Sequence, residues 1–147
     1  DKSAREAAGQ KPILKIPVSV AKGSSGLKVE ADEALILEVI NNLVLNAASA
    51  IRKSGRSNGS IEIKCRSDLV KRQIYIVTSD NGCGMHPEEA KKAFVYGYST
   101  SGNADGGLGL YFCRAIMSMH SGSLELNSTK LGSGSSFRMT LPMVTVS

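Results

Sequence analysis

The chain has 147 residues, 41% of them hydrophobic and 21% charged, which suits one domain around a single core and leaves no room for a second. No run of 18 apolar residues occurs, and the opening DKSAREAAGQK lacks the apolar segment of a signal peptide, so a soluble piece without a membrane contact is expected. Cys65, Cys83 and Cys113 are odd in number, far apart and outside any CxxC pattern, which argues against a disulfide framework or a zinc site and for a reducing, cytoplasmic setting. The net charge of +5 comes from scattered Lys and Arg, with only four Tyr and three Phe for base stacking. That is a mild bias toward anionic partners such as phosphates rather than a nucleic-acid surface.

Along the chain, ILKIPVSV at 13–20 reads as a strand with Pro17 marking an edge or bulge, and LKVE at 27–30 as a second short strand. A long helix follows at 31–53, with Asp32 as N-cap, Glu33 in its first turn and Arg52 and Lys53 at its end, where cations suit the dipole. Ile36, Ile40, Leu43, Ala47, Ala50 and Ile51 form its apolar face. IEIKCR at 61–66 and RQIYIVTS at 72–79 alternate as a hairpin, the latter running into DNGCGM at 80–85. A short helix at about 88–94, an irregular stretch at 96–106 and a helix at 108–121 come next. SLELNS at 123–128 and SSFRMTLPM at 135–143 close the chain as antiparallel strands. The pattern predicts an α+β, two-layer fold: a mixed, mostly antiparallel sheet of about five strands with three helices on one face.

Three features exceed what scaffolding needs. Glu38, Asn42 and Asn46 are spaced four apart and line one narrow stripe of the long helix. Asn is a poor helix-interior residue, and a neutral amide oxygen suits a hard cation that also takes phosphate oxygens. The strand ending in Asp80-Asn81-Gly82 could be an ordinary Asn-Gly turn. The glycines of DGGLG at 105–109 could equally cap a helix or let backbone N–H groups approach a phosphate.

Taken in order, these features resemble the boxes of one family, the ATP-binding catalytic domains of sensor histidine kinases, which share the Bergerat-type fold of gyrase-like ATPases. EVINNLVLNAASAI at 38–51 is similar to its N box, SDNGCGM at 79–85 to its G1 box, AFVYGYSTS at 93–101 to its F box, and GGLGLYFCRAIMSMHSGSLEL at 106–126 to its G2 box with the following helix and strand. The resemblance covers residues 13–143. It implies that Asp80 accepts a hydrogen bond from the adenine amino group, that Gly82 and Gly84 let the backbone approach the base, and that Asn46 ligates Mg2+ with Asn42 in support. It further implies that Gly107, Leu108 and Gly109 hold the triphosphate of ATP, and that 86–106 form a lid anchored by Phe94 and Tyr98.

In hydrolysing relatives a Glu stands four residues before the metal-binding Asn, whereas Asn42 stands there here. The domain therefore looks like a phosphodonor to a histidine rather than to water, with Glu38, one turn earlier, as a candidate for polarising the incoming nucleophile. Ser49 and Ala50 occupy positions where the family often has a basic residue, which leaves Arg52 or Lys53 as the candidate cation for phosphate. His86 and His120 lack the acidic neighbour of the family's acceptor motif. The resemblance thus places the acceptor on a helical dimerisation domain of the parent protein, with residues 1–12 as the end of a linker and 13–147 as the catalytic domain. It also implies a response regulator receiver domain downstream, a monomeric isolated domain and no nucleic-acid partner. A gyrase-type ATPase clamp and a non-catalytic nucleotide-binding regulatory module are the alternatives.

Overall fold

The computed structural model describes residues 18–22, 29–97 and 108–143. Helix α1 (Glu33–Ser54) begins where Asp32 Oδ1 accepts the Leu35 N–H at 3.2 Å, and stops at Gly55, whose left-handed backbone (φ +70°) returns its N–H to the Arg52 carbonyl. Its buried stripe is Ile36, Val39, Leu43, Ala47, Ala48 and Ile51. Val39 and Ala48 take places expected for Ile40 and Ala50, which are half-buried. Val39 lies three residues after Ile36 and four before Leu43, so it completes the same face.

Four further strands join β1 (Val18–Lys22): β2 (Ile61–Asp68), β3 (Gln73–Asp80), β4 (Ser123–Lys130) and β5 (Gly134–Pro142). The sheet order is β1-β2-β3-β5-β4. β1 runs parallel to β2, with Val18 opposite Ile61, and every other pair is antiparallel. A parallel pair needs a crossover, and α1 is that crossover. Residues 13–17 of the expected first strand lie outside the described residues. The expected strand at 27–30 does not form where it is described: Glu30 is outside any strand, and Val29 instead packs against the core on the way to the α1 cap.

The β2–β3 turn is tied by Asp68 Oδ1, which accepts the N–H groups of Val70 and Lys71 at 3.0 Å. Helix α3 (Leu108–Met119) ends two residues short of expectation, because Ser121 adopts a left-handed conformation (φ +57°) and the Gly122 N–H bonds back to the Met117 carbonyl. Helices α1 and α3 lie over one face of the sheet and sandwich Leu43, Met117, Leu124, Phe137 and Met139. The third helix, α2 (Pro87–Lys92), has six residues and no buried side chain. The opposite face is polar: Arg138 is paired with Glu125 at 3.1 Å and sits 5.0 Å over the Tyr75 ring. An antiparallel sheet with one wet face explains the alternation along β2 and β3.

By length and composition alone, α1 is apolar enough to cross a membrane. It is instead the central core helix, with Val39 and Ile51 fully buried against the sheet and a row of asparagines on another side.

One link joins the two helices at a distance from the Gly-rich segments. His120 donates from Nδ1 to the Ile116 carbonyl at 2.7 Å and accepts the Asp32 N–H on Nε2 at 3.0 Å. This His is a structural clamp between the end of α3 and the cap of α1.

Candidate nucleotide site

Asp80 is the last residue of β3 and stands opposite Ile61, on the helix-covered face. Its Oδ1 accepts the Gly82 N–H at 2.8 Å, and its carboxylate is also held by the Ser135 N–H. Burial pushes this carboxyl above its ordinary value, and the two N–H groups pull it part of the way back. The result is an oriented acceptor with little freedom to rotate.

The residues after Asp80 are fixed from both sides. Asn81 accepts the Ser60 N–H at 2.8 Å and donates to the Asn58 carbonyl at 3.1 Å, which stitches the strand end to the loop before β2. A Cβ on Gly82 would come within 2.6 Å of the Ala50 backbone, so this residue lies directly on α1. The next N–H, of Cys83, donates to the Ala50 carbonyl at 3.0 Å, and the Cys83 carbonyl accepts the Gly132 N–H at 2.7 Å. Gly84 has φ +66°, and a Cβ there would collide with the Lys130 carbonyl. Both glycines, expected to let the backbone approach the base, are also required by the packing against α1 and against the end of β4. The Met85 N–H donates to Thr129 Oγ1 at 3.0 Å, and Thr129 pairs with the Ser135 hydroxyl at 2.7 Å.

The polar stripe of α1 faces α3 in an antiparallel sense. Glu38 lies close enough to Cys113 to reinforce burial in raising that thiol to about 11, and Asn42 Oδ1 lies 3.1 Å from where a Cβ on Gly109 would be. Asn42 Nδ2 turns back along its own helix and donates to the Glu38 carbonyl at 2.9 Å. Asn46 is exposed one turn further on, about 6 Å along the axis. Lys53, two turns beyond Asn46, is exposed at the end of the helix. Among the described residues, no group of three or more His, Cys, Asp and Glu is gathered to hold a metal.

Phe94 follows α2 and reaches the core, edge-on to Phe137 with ring centroids 6.1 Å apart. Arg114 of α3 lies 3.7 Å over its ring and donates from Nε and Nη2 to the Leu124 carbonyl at 3.2 and 3.1 Å. Tyr98 and Gly107 fall outside the described residues, and Leu108 is described in its backbone alone.

Sequence reasoning missed Asn81, Thr129, Ser135 and Arg114. The available signal was the row of small polar residues opening a strand that is otherwise apolar, GSGSSF at 132–137. Its meaning depends on the register that sets Ser136 opposite Ser79 and Ser135 opposite Thr129.

This sheet order sets an asparagine-bearing helix over a strand that ends in a fixed aspartate. The chain belongs to the histidine kinase-, DNA gyrase B- and HSP90-like ATPase family, whose model matches residues 31–145. Within the family its relatives are sensor histidine kinases. It is 32% identical over 111 residues to the nitrogen regulation protein NtrY of Azorhizobium caulinodans, covering 75% of this chain and 14% of that protein. It is also 32% identical over 118 residues to the sensor histidine kinase ZraS of Salmonella typhimurium, covering 80% of this chain and 24% of that protein. The chain therefore spans a quarter or less of these two relatives. The nucleotide-free catalytic domain of the histidine kinase ThkA superposes with a TM-score of 0.68 at 27% identity, over 86% of this chain and 78% of that one. Full-length ShkA, in complex with AMPPNP, shares the fold at a TM-score of 0.75 and 21% identity, over 90% of this chain and 26% of that one.

Proposed function

We propose that this chain is the ATP-binding, phosphodonor part of a two-component sensor histidine kinase, acting on a histidine carried by a separate helical dimerisation domain of the parent protein, with a response regulator receiver domain downstream. The observation that carries this reading is the pre-oriented Asp80 carboxylate. It is held by two backbone N–H groups beside an asparagine-bearing helix, and its remaining acceptor capacity suits the amino group of adenine. Guanine presents a carbonyl oxygen at the corresponding position, which an ionised carboxylate repels.

Asn46 has an exposed amide, and its oxygen suits Mg2+. The cation would take most of its other ligands from phosphate oxygens and water, and it would supply charge neutralisation at the β- and γ-phosphates. Asn42 holds the stripe against Gly109, at the start of α3, where the helix N-terminus favours phosphate. Gly107, Leu108 and Lys53 would contribute to the same end of the site. The position of Asn42, where hydrolysing relatives resemble Glu, supports transfer to a histidine over transfer to water. Glu38 is the nearest carboxylate on the stripe, and its carbonyl engages Asn42. Phe94, packed on Phe137 and Arg114, would root the segment that closes over bound nucleotide, with Tyr98 as its second anchor.

Calorimetric titration of ATP with and without Mg2+, beside Asp80→Asn and Asn46→Ala, tests the proposal. The expected result is Mg2+-dependent binding that weakens in both variants. No heat at millimolar ATP would overturn it in favour of an interaction module. Steady phosphate release without any partner would favour a gyrase-type ATPase.

A further inference from the structure

The turn between β4 and β5 is the surface on which the segment after Asp80 rests. A Cβ on Gly134 would collide with the Asp80 carbonyl, the Gly132 N–H donates to the Cys83 carbonyl at 2.7 Å, and the Ser135 N–H holds the Asp80 carboxylate. The turn is itself fastened by Arg56, whose Nη2 donates to the Gly132 carbonyl at 2.7 Å across 76 residues of chain. Arg56 follows the Gly55 stop of α1, and its own N–H is fixed on Ser54 Oγ at 3.0 Å. A ring of bonds therefore closes on the helix: the Ala50 carbonyl accepts from Cys83, the Cys83 carbonyl from Gly132 and the Gly132 carbonyl from Arg56, which returns to the end of α1.

Stability alone does not account for this arrangement. Arg56 Nε is buried without a hydrogen-bond partner, and a buried donor left unmet offsets most of what the charged bond at Nη2 contributes. An arginine beside a surface loop would ordinarily keep its whole head in water. We infer that Arg56 is a positioning residue for the nucleotide site: by fixing the β4–β5 turn on the end of α1, it keeps the Ser135 N–H on the Asp80 carboxylate and so aims that carboxylate at the amino group of the base. The inference deepens the nucleotide assignment above and rests on it. Without Arg56 the Gly132 carbonyl loses its donor, the turn is free to lift from Cys83, and Asp80 loses one of the two N–H groups that orient it. Arg56 acts through the turn and touches no part of the nucleotide.

The experiment compares ATP with purine riboside triphosphate, which lacks the amino group, on the wild-type chain, Arg56→Met and Arg56→Lys. Binding is followed by calorimetry with Mg2+, and unfolding by melting without nucleotide. Wild type should bind ATP more tightly than purine riboside triphosphate. Arg56→Met should lose roughly 2- to 30-fold in ATP affinity, the range for a residue that acts through its neighbours, while keeping its affinity for purine riboside triphosphate and melting close to wild type. Its Gly132 amide should exchange hydrogen faster. Arg56→Lys, which restores a charged donor, should recover the preference for ATP. Equal ATP affinity in wild type and Arg56→Met, or an equal loss for both nucleotides, would overturn the inference, because a residue that only holds the fold together would weaken both alike. If wild type prefers ATP and Asp80→Asn abolishes that preference while Arg56→Met keeps it, only the role of Arg56 falls. If wild type binds neither nucleotide, the nucleotide assignment falls with it.

Discussion

Replacing Gly82 by Ala adds one methyl group where the structure has no space for it. The added carbon would meet the Ala50 carbonyl carbon at 2.6 Å, the Ala50 Cβ at 2.7 Å and the Ile51 nitrogen at 2.8 Å, all on a helix that cannot yield locally. The loop must lift instead, which breaks the 3.0 Å bond from the Cys83 N–H to the Ala50 carbonyl. Overpacking costs about 1–3 kcal/mol and the lost hydrogen bond about 1 kcal/mol, so a destabilisation of about 2–4 kcal/mol is expected. For a domain of this size that lowers the melting temperature by about 5–15 °C. Gly55→Ala is the matched control, since a Cβ at that helix end meets nothing within 4 Å. Its cost is only the left-handed conformation at φ +70°, about 1–2 kcal/mol. Calorimetric melting of both variants, with hydrogen exchange at the Cys83 amide, checks the difference. A Gly82→Ala domain that melts no lower than Gly55→Ala and keeps its Cys83 amide protected would refute the claim that this segment is clamped on α1.

Two further outcomes follow from the site and its surroundings. Because burial raises the Asp80 carboxyl in the folded state, its contribution to stability is fully present below the unfolded carboxylate value and is lost as pH rises through the folded one. Nucleotide-free Asp80→Asn should therefore melt higher than wild type at neutral pH, with the gap closing on acidification into the carboxylate range, while ATP affinity falls by about 1–3 kcal/mol; a gap that widens in acid would reverse the sign. Arg114→Met removes the cation over Phe94 and leaves the Leu124 carbonyl short of two donors, so the urea midpoint should drop by the equivalent of about 1–3 kcal/mol at unchanged slope, and no drop would mean that the Phe94 contact is idle.

What could be read from the residues was local. The Asp32 cap, the basic end of the helix at Arg52 and Lys53 and the alternation through β2 and β3 each depend on a few neighbouring side chains, and each forms where its pattern lies. The order of strands did not follow from any such pattern. The parallel seating of β1 on β2, and the insertion of β5 between β3 and β4, are decided by which faces α1 and α3 bury. The same division runs through the site. Asp80 and the glycines stand out only in order with the asparagine-bearing helix and the Gly-rich segment, since alone they read as an Asn-Gly turn. The duties of Gly82 and Gly84 toward Ala50 and Lys130 were hidden, because those contacts span more than thirty residues of chain. Ser135 and Thr129 looked like any polar strand residues until pairing brought them together.

The His120 link sets how α3 can move. It ties the last turn of α3 to the first residue before α1, while toward the other end of α3 Gly109 faces Asn42. A rod pinned at one end can turn about that pin. With 12 residues, α3 is about 18 Å long, so a tilt of about 5° about His120 carries its first turn by about 1.5 Å. That is enough to open or close one hydrogen bond at the Asn42 end while the core between the helices barely shifts. The clamp that holds the two helices together would then also be the fulcrum for whatever the Gly109 end grasps.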